Sequence, residues 1–357
     1  QSYLQPIWAD LFSRDHMPID VIISPEIEVA RAISRRLQMP GAFESIVLAD
    51  GSVRMMGVRC GDDCPVINTP LRQLTGIFPD LNIVVVAVVR DGRGFVPSAD
   101  DQMLAGDDVY FVADADHIAR SMVVFGHEET VARRVIIAGG GHIGAFLGEI
   151  IEKEHAGVAA KIIESNADRA HAIADELERT IVINGDVIDP EILDEASVSE
   201  CEAIIAVTND DETNILASLL AKRFGTRRAV TLINNATYTP LITSLGIDVV
   251  VNPRSIPVST ILQHVRRGRI RAVHSLAEGF GELCEAEILE SSGLSGLTIG
   301  DADLPDGVLF GAIVRGGEVI IPRADTVMRV NDRVVLFAEA SAVKAIENLF
   351  AVRLEFF

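Results

Sequence analysis

Residues 135–144 read Val135-Ile136-Ile137-Ala138-Gly139-Gly140-Gly141-His142-Ile143-Gly144. Four apolar residues without a polar interruption suit a strand buried on both faces. They run directly into G-x-G-x-x-G, and helical spacing follows to His155, so the stretch predicts strand, tight turn and helix. In that setting Gly139 permits the turn, Gly141 lets a pyrophosphate approach the backbone, and Gly144 lets helix and strand pack closely. The helix start adds unpaired N–H groups and partial positive charge, both suited to phosphate. His142 and Ile143 fill the variable positions of the loop and are candidate contacts beside it. An exposed, passive His142 is the competing reading.

Outward from this loop the pattern alternates. Strands are expected at Arg134–Ala138, Ala160–Ile163, Thr180–Ile183, Ala203–Val207, Ala229–Ile233 and Val249–Val251. Helices are expected at Ile143–His155, Ala167–Leu177, Pro190–Ala196, Glu212–Phe224 and Tyr238–Leu245. Such alternation predicts a doubly wound parallel sheet. Glu164 ends the second strand, 20 residues beyond Gly144. A carboxylate there bonds the hydroxyls of an adenosine ribose and repels a 2′-phosphate, which favours NAD(H) or an adenine nucleotide over NADP(H). Asp186 follows the third strand, near where an adenine would lie, although a turn or cap role competes. Thr208 follows the fourth strand within reach of ribose or phosphate, while Asn209, Asp210 and Asp211 suit helix capping. Arg169 lies five residues past Glu164, placed either for a distal phosphate or for solvent.

The flanks repeat each other. Ile19-Asp20-Val21-Ile22-Ile23-Ser24-Pro25 returns as Ile247-Asp248-Val249-Val250-Val251-Asn252-Pro253, 228 residues later. Val96-Pro97-x-Ala99-Asp100-x-x-Met103 and Asp107-x-Val109 return 225 residues later as Ile321-Pro322-x-Ala324-Asp325-x-x-Met328 and Asp332-x-Val334. Each copy reads as a strand, a helix (Glu26–Leu37; Ser255–Arg267), a small β-rich unit (Ser45–Ala113; Val273–Ala338) and a closing helix (Asp116–Phe125; Ser341–Phe350). A hairpin is expected at Leu309–Val314 and Glu318–Ile321, with Leu81–Val89 and Phe95–Asp100 as its counterpart across Arg90–Gly94. Symmetry calls for roughly 110 residues ahead of Ile19, so the first copy is expected to lack most of its own parallel-sheet domain.

The 357 residues carry 31 Lys and Arg against 52 Asp and Glu, a net charge of −21, which argues against nucleic acid as a partner. Hydrophobic content is 48%, yet the longest strongly apolar run is Ile83–Val89, far short of the roughly 20 residues of a spanning helix. The four cysteines, Cys60, Cys64, Cys201 and Cys284, show no zinc-site spacing and read as reduced structural thiols. His264–Arg271 is a local basic cluster that suits a helix C-terminus capped at Gly268, or contact with an acidic neighbouring subunit. No catalytic or metal-binding constellation accompanies the glycine loop, so no enzyme activity and no metal are expected. Nucleotide binding without chemistry suggests regulation. An NAD-dependent oxidoreductase and a nucleotide-free structural scaffold are the competing classes.

Taken together, Ile136–Gly144, Glu164 with Arg169, Val182–Asp186, Thr208–Asn214, His264–Gly268, Leu304–Arg315 and Asn331–Phe337 resemble the TrkA family, peripheral subunits of Trk-type potassium uptake systems built from tandem RCK domains. The resemblance spans essentially the whole chain. It implies an α/β fold: a Rossmann-like doubly wound parallel sheet plus two small α+β RCK C-terminal domains. Mapped on this sequence, 1–40 is the remnant of a first Rossmann-like domain with its crossover helix. Residues 41–128 form the first small domain, 133–253 the nucleotide domain, 254–271 a second crossover helix and 272–357 the second small domain. The resemblance further implies NAD(H) binding, with ATP or ADP as alternative ligands, at Gly139, Gly141, Gly144, Glu164 and Asp186, with Thr208 and Arg169 as weaker candidates. It implies a cytoplasmic protein at the inner face of the membrane, self-associating as a dimer or ring, that gates a membrane potassium-translocating subunit.

Overall fold

A computed structural model of the chain describes residues 22–78, 81–238, 241–242, 245–257, 261, 270–276 and 279–350. Helix α1 (Pro25–Gln38) comes first, followed by β1 (Ala42–Leu48), β2 (Val53–Arg59), α2 (Leu71–Ile77), β3 (Ile83–Arg90), β4 (Arg93–Phe95), β5 (Asp108–Asp114) and α3 (Ile118–Val124). The middle segment holds β6 (Arg134–Ala138), α4 (His142–Glu154), β7 (Ala159–Glu164), α5 (Ala167–Glu176), β8 (Ile181–Asn184), α6 (Pro190–Glu195), β9 (Ala203–Ala206), α7 (Asp211–Arg223), β10 (Arg228–Leu232) and β11 (Val249–Val251). The chain then forms β12 (Ile270–Leu276), β13 (Gly281–Glu287), β14 (Val308–Arg315), β15 (Glu318–Ile320), β16 (Arg333–Glu339) and α8 (Val343–Leu349).

Two compact units result. Among the described residues, one joins 22–38 to those within 132–261, and the other joins those within 39–131 to those within 270–350. The first is built on a six-stranded parallel sheet in the order β11-β10-β9-β6-β7-β8. Alternate residues of β6 serve opposite faces. Val135 and Ile137 enter a core with Leu147 and Ile151 of α4, while Ile136 and Ala138 enter a second core with Ala217 and Ala221 of α7. Burial on both sides explains why the strand is apolar throughout. Helix α1 lays Val29, Ala30, Ile33 and Leu37 on the α4 side of this sheet. It carries Glu26 and Glu28 in its first turn and Arg35 and Arg36 in its last, which complements its dipole. The Ser34 hydroxyl and His155 Nε2, just past α4, lie 2.7 Å apart.

The second unit contains two antiparallel sheets of one topology, β1-β2-β5-β3-β4 and β12-β13-β16-β14-β15. Each has a private core on one face, around Phe111 and Phe125 in one and Phe310 and Leu336 in the other. Their other faces share a core in which Ile46, Met55, Tyr110 and Val112 meet Leu283, Ala312, Val335 and Phe337. A polar clasp lies beside it: buried Glu285 accepts the Ala49 N–H at 2.8 Å and pairs with Arg333, whose Nη1 lies 2.5 Å from Asp50. The duplication extends to side chains. Arg90 holds Asp107 through two bonds of 2.8 and 2.7 Å, and Arg315 holds Asp332 through two of 2.8 and 2.7 Å.

Some expectations need correction. The strand expected at Phe95–Asp100 is instead Arg93–Phe95, because Asp91 and Gly92, both with positive φ, close a two-residue hairpin turn tighter than the loop read from sequence. Ile22–Ser24 form no strand, and residues 19–21 of that expected strand lie outside the described residues. The helix expected at Tyr238–Leu245 begins as a 3₁₀ turn at Ala236–Tyr238, and 239–240 and 243–244 are not described. Most of the Ser255–Arg267 helix and of the His264–Arg271 cluster also lies outside the described residues. All four cysteines are buried and none of them forms a disulfide. Among the described residues, no helix is long and apolar enough to cross a membrane and no His, Cys, Asp or Glu cluster is arranged to hold a metal ion.

Candidate functional site

The glycine loop leaves the C-terminal end of β6 and enters α4, at the point where the strand order reverses between β6 and β9. That reversal opens a crevice at the strand ends, the usual ligand position in a doubly wound sheet. Gly139 turns the chain at φ +103°, and its N–H donates to Ile163 O at 2.9 Å. Gly141 is the residue before the helix, and a Cβ built on it would meet nothing within 4 Å. A Cβ on Gly144 would stand 1.9 Å from Gly139 O. The turn therefore crowds Gly144 and leaves Gly141 open outward. The first intrahelical bond runs from Ala145 N–H to Gly141 O at 3.0 Å, and the N–H groups before it lack intrahelical partners.

Glu164 reaches this loop from the end of β7. One carboxylate oxygen accepts the Gly140 N–H at 2.7 Å and the other the Asn166 N–H at 2.8 Å. Asn166 caps α5 by accepting the Arg169 N–H, and Arg169 returns its Nε to Gly140 O at 2.9 Å. The structure thus brings a carboxylate and a guanidinium to the same glycine from sequence positions 24 and 29 residues away. Thr208 borders the loop from the other side: a Cβ on Gly139 would lie 3.0 Å from Thr208 Cα. Asp186 is exposed beyond β8 and its carboxylate accepts the Ile188 N–H at 3.1 Å, closing a turn. His142 is exposed and Ile143 half-buried in the first turn of α4.

Three residues not singled out as site residues from sequence tie together the elements around the strand ends. Asn184 donates its Nδ2 to Glu164 O at 2.9 Å and ties the end of β8 to the carboxylate-bearing strand. Asp211 and Asn214 in the first turns of α7 are buried and bond to the loops after β10 and β9. Their types and positions match ordinary helix-start residues, so the only signal in the sequence was the density of Asn and Asp in Thr208–Asn214.

The chain matches the TrkA-N domain over residues 135–253 and the TrkA-C domain twice, over 55–125 and 283–351. A crystal structure of the GsuK RCK domain is 20% identical, covering 98% of this chain and 74% of its own with a TM-score of 0.54. A GsuK channel structure bound to NAD is 18% identical, covering 98% and 61% with a TM-score of 0.52. Fold and loop together define an RCK-type protein, a Rossmann-like sheet combined with small antiparallel domains. The Trk system potassium uptake protein TrkA of Azorhizobium caulinodans is 52% identical over the whole chain and 78% of its own length, and that of Halomonas elongata is 38% identical over 97% and 76%. The chain belongs to this family, the Trk system potassium uptake protein TrkA.

Proposed function

We propose that the chain is a nucleotide-binding regulatory subunit of a potassium uptake system. The observation that carries the reading is the open position over Gly141 at a helix start, beside Gly140, which both Glu164 and Arg169 bond. A diphosphate placed there meets first-turn N–H groups, and the Glu164 carboxylate stands ready for ribose hydroxyls. NAD(H) is the proposed ligand, with ATP or ADP as alternatives, held by Gly139, Gly141, His142, Ile143, Gly144, Glu164, Arg169, Asp186 and Thr208. A GsuK channel of similar fold binds NAD, which supports this choice of ligand.

The nucleotide domain in this reading is 133–253, with helix α1 packed on its sheet, the crossover helix is 254–271, and the small domains are 41–128 and 272–357. Two ligands of different affinity for two assembly states bias their equilibrium, and that bias is the output. The partners are further RCK domains, as a dimer or ring, and a membrane potassium-translocating subunit, which places the protein at the inner face of the membrane. No catalytic step is assigned. Titration calorimetry of the chain with NADH, NAD⁺, ATP and ADP tests the reading: binding to the wild type and its loss in Gly141→Val support it, and heatless titrations with all four reject it. Consumption of NADH with a small carbonyl compound would favour an oxidoreductase instead.

A further inference from the structure

Helix α7 starts with polar side chains that tie two loops together. Asp210 alone caps the helix, accepting the Thr213 N–H at 2.7 Å. Asp211 does something else. Its buried carboxylate accepts the Asn234 N–H at 2.9 and 3.1 Å, Asn234 Nδ2 at 3.0 Å and the Asn235 N–H at 2.9 Å. It fastens the segment that follows β10. Asn214, fully buried one turn later, fastens the Thr208 turn. Its Oδ1 accepts the Thr208 N–H and hydroxyl, each at 2.8 Å, while its Nδ2 donates to Thr208 O at 3.1 Å and Leu232 O at 3.0 Å. Both accepting and both donating capacities of the amide are used, so it has no alternative partner to turn to. Further along, Glu212 accepts the Tyr238 hydroxyl at 3.0 Å, and the Ser218 and Thr231 hydroxyls lie 2.7 Å apart.

These bonds form a continuous path. Thr208 lies beside the glycine loop, where Gly139 has no room for a side chain, Thr208 is held by Asn214, and the same side chain and its neighbour Asp211 hold Leu232, Asn234 and Asn235. A ligand that displaces the Thr208 turn must move α7 and the segment after β10 with it, or break buried hydrogen bonds. We propose that Asp211 and Asn214 are positioning residues that couple nucleotide occupancy at the glycine loop to the Asn234–Tyr238 segment. Neither side chain is among the proposed nucleotide contacts. The proposal rests on the nucleotide-binding reading above, and it adds the route by which occupancy leaves the site.

Site-resolved hydrogen–deuterium exchange of the full chain, with and without saturating NADH or ADP, tests it. Peptides spanning 139–146 report binding. Those spanning 233–238 report the coupled segment, since the Asn234 and Asn235 amides are the ones Asp211 holds. In the wild type, ligand is expected to slow exchange in the first peptide and to change it at least about threefold in the second. At saturating ligand, Asn214→Ala is expected to keep the protection of 139–146 while the response at 233–238 disappears, a split that mere loss of packing does not produce. Should Asn214→Ala fail to fold, Asp211→Asn, which keeps the shape and one acceptor oxygen, is expected to raise basal exchange at 234–235 and cut the ligand response. A protected glycine loop with an unresponsive wild-type 233–238 segment overturns the proposal, as does a response that survives the substitution. Absence of protection in both peptides removes the nucleotide reading itself, and the proposal with it.

Discussion

The carbonyl oxygen of Gly139 occupies the space a Cβ on Gly144 would need, 1.9 Å from its ideal position. The third glycine of the loop is therefore required by the turn, while the second, with nothing within 4 Å of its own Cβ position and φ −60°, is unconstrained by the protein. Gly144→Ala should destabilise the nucleotide domain by about 2 kcal/mol, as overpacking a closed site does, and lower Tm accordingly. Gly141→Val should melt at the wild-type temperature and yet lose nucleotide affinity at least about tenfold, because its side chain fills the space left for phosphate. Thermal melts and calorimetry on both variants check this, and wild-type affinity in Gly141→Val would move the phosphate elsewhere.

Glu164 bridges Gly140 and Asn166 through its two carboxylate oxygens. Glu164→Gln keeps one acceptor and removes the charge, so the loop should fold while ribose recognition weakens. A hydrogen bond to a charged group contributes about 1.5–3 kcal/mol, which corresponds to roughly a 10- to 100-fold loss for NADH or ADP. Rejection of the 2′-phosphate should relax as well. Competition between NADH and NADPH measures it, and an unchanged preference would deny Glu164 that role.

Asp107 and Asp332 are almost completely buried, and each is held bidentately by an arginine that is one-quarter to one-third exposed. Each aspartate also accepts a backbone N–H three residues upstream, from Leu104 and Arg329, both at 2.8 Å. Asp107→Ala or Asp332→Ala should cost about 3 kcal/mol, at the lower end for breaking a buried pair because the arginine retains some solvent. Urea unfolding checks both, and a loss well below about 1 kcal/mol would show that the loop is held by its apolar neighbours alone.

What was legible from sequence had a period. The parallel strands fall within a residue or so of the positions read from runs such as Val135–Ala138, and the repeat of Pro97–Val109 in Pro322–Val334 anticipated two sheets of equal topology. Glu164 and Arg169 both bond Gly140, an arrangement that their spacing from the glycine loop did not announce. Three-dimensional sharing was not legible. Tyr110 and Phe337 lie in the core that the two sheets share, and nothing in their spacing says that the sheets meet over them. Helix α1 reads as part of the first repeat, but its apolar stripe is spent on the parallel sheet around Leu147 and Ile151. Asp211 and Asn214 look like solvated helix-start residues, because burial of a polar side chain depends on partners such as Leu232 O that only the fold supplies.

Acid stability offers a separate check on the nucleotide domain. Glu152, near the end of α4, accepts the backbone N–H groups of Glu178, Arg179 and Thr180 at 3.0, 2.7 and 2.6 Å. Burial pushes its carboxyl up, but these N–H groups outweigh it and hold the carboxyl at about 2, below its ordinary 4.5. As pH falls the unfolded chain takes up this proton first, so the stabilisation is complete above about pH 4.5 and drains away towards pH 2. Glu152→Gln should lower Tm at neutral pH, and the gap to the wild type should close as pH drops through that window. Melts from pH 7 to pH 3 measure it; a gap independent of pH would mean that the glutamate acts by packing and not by its charge.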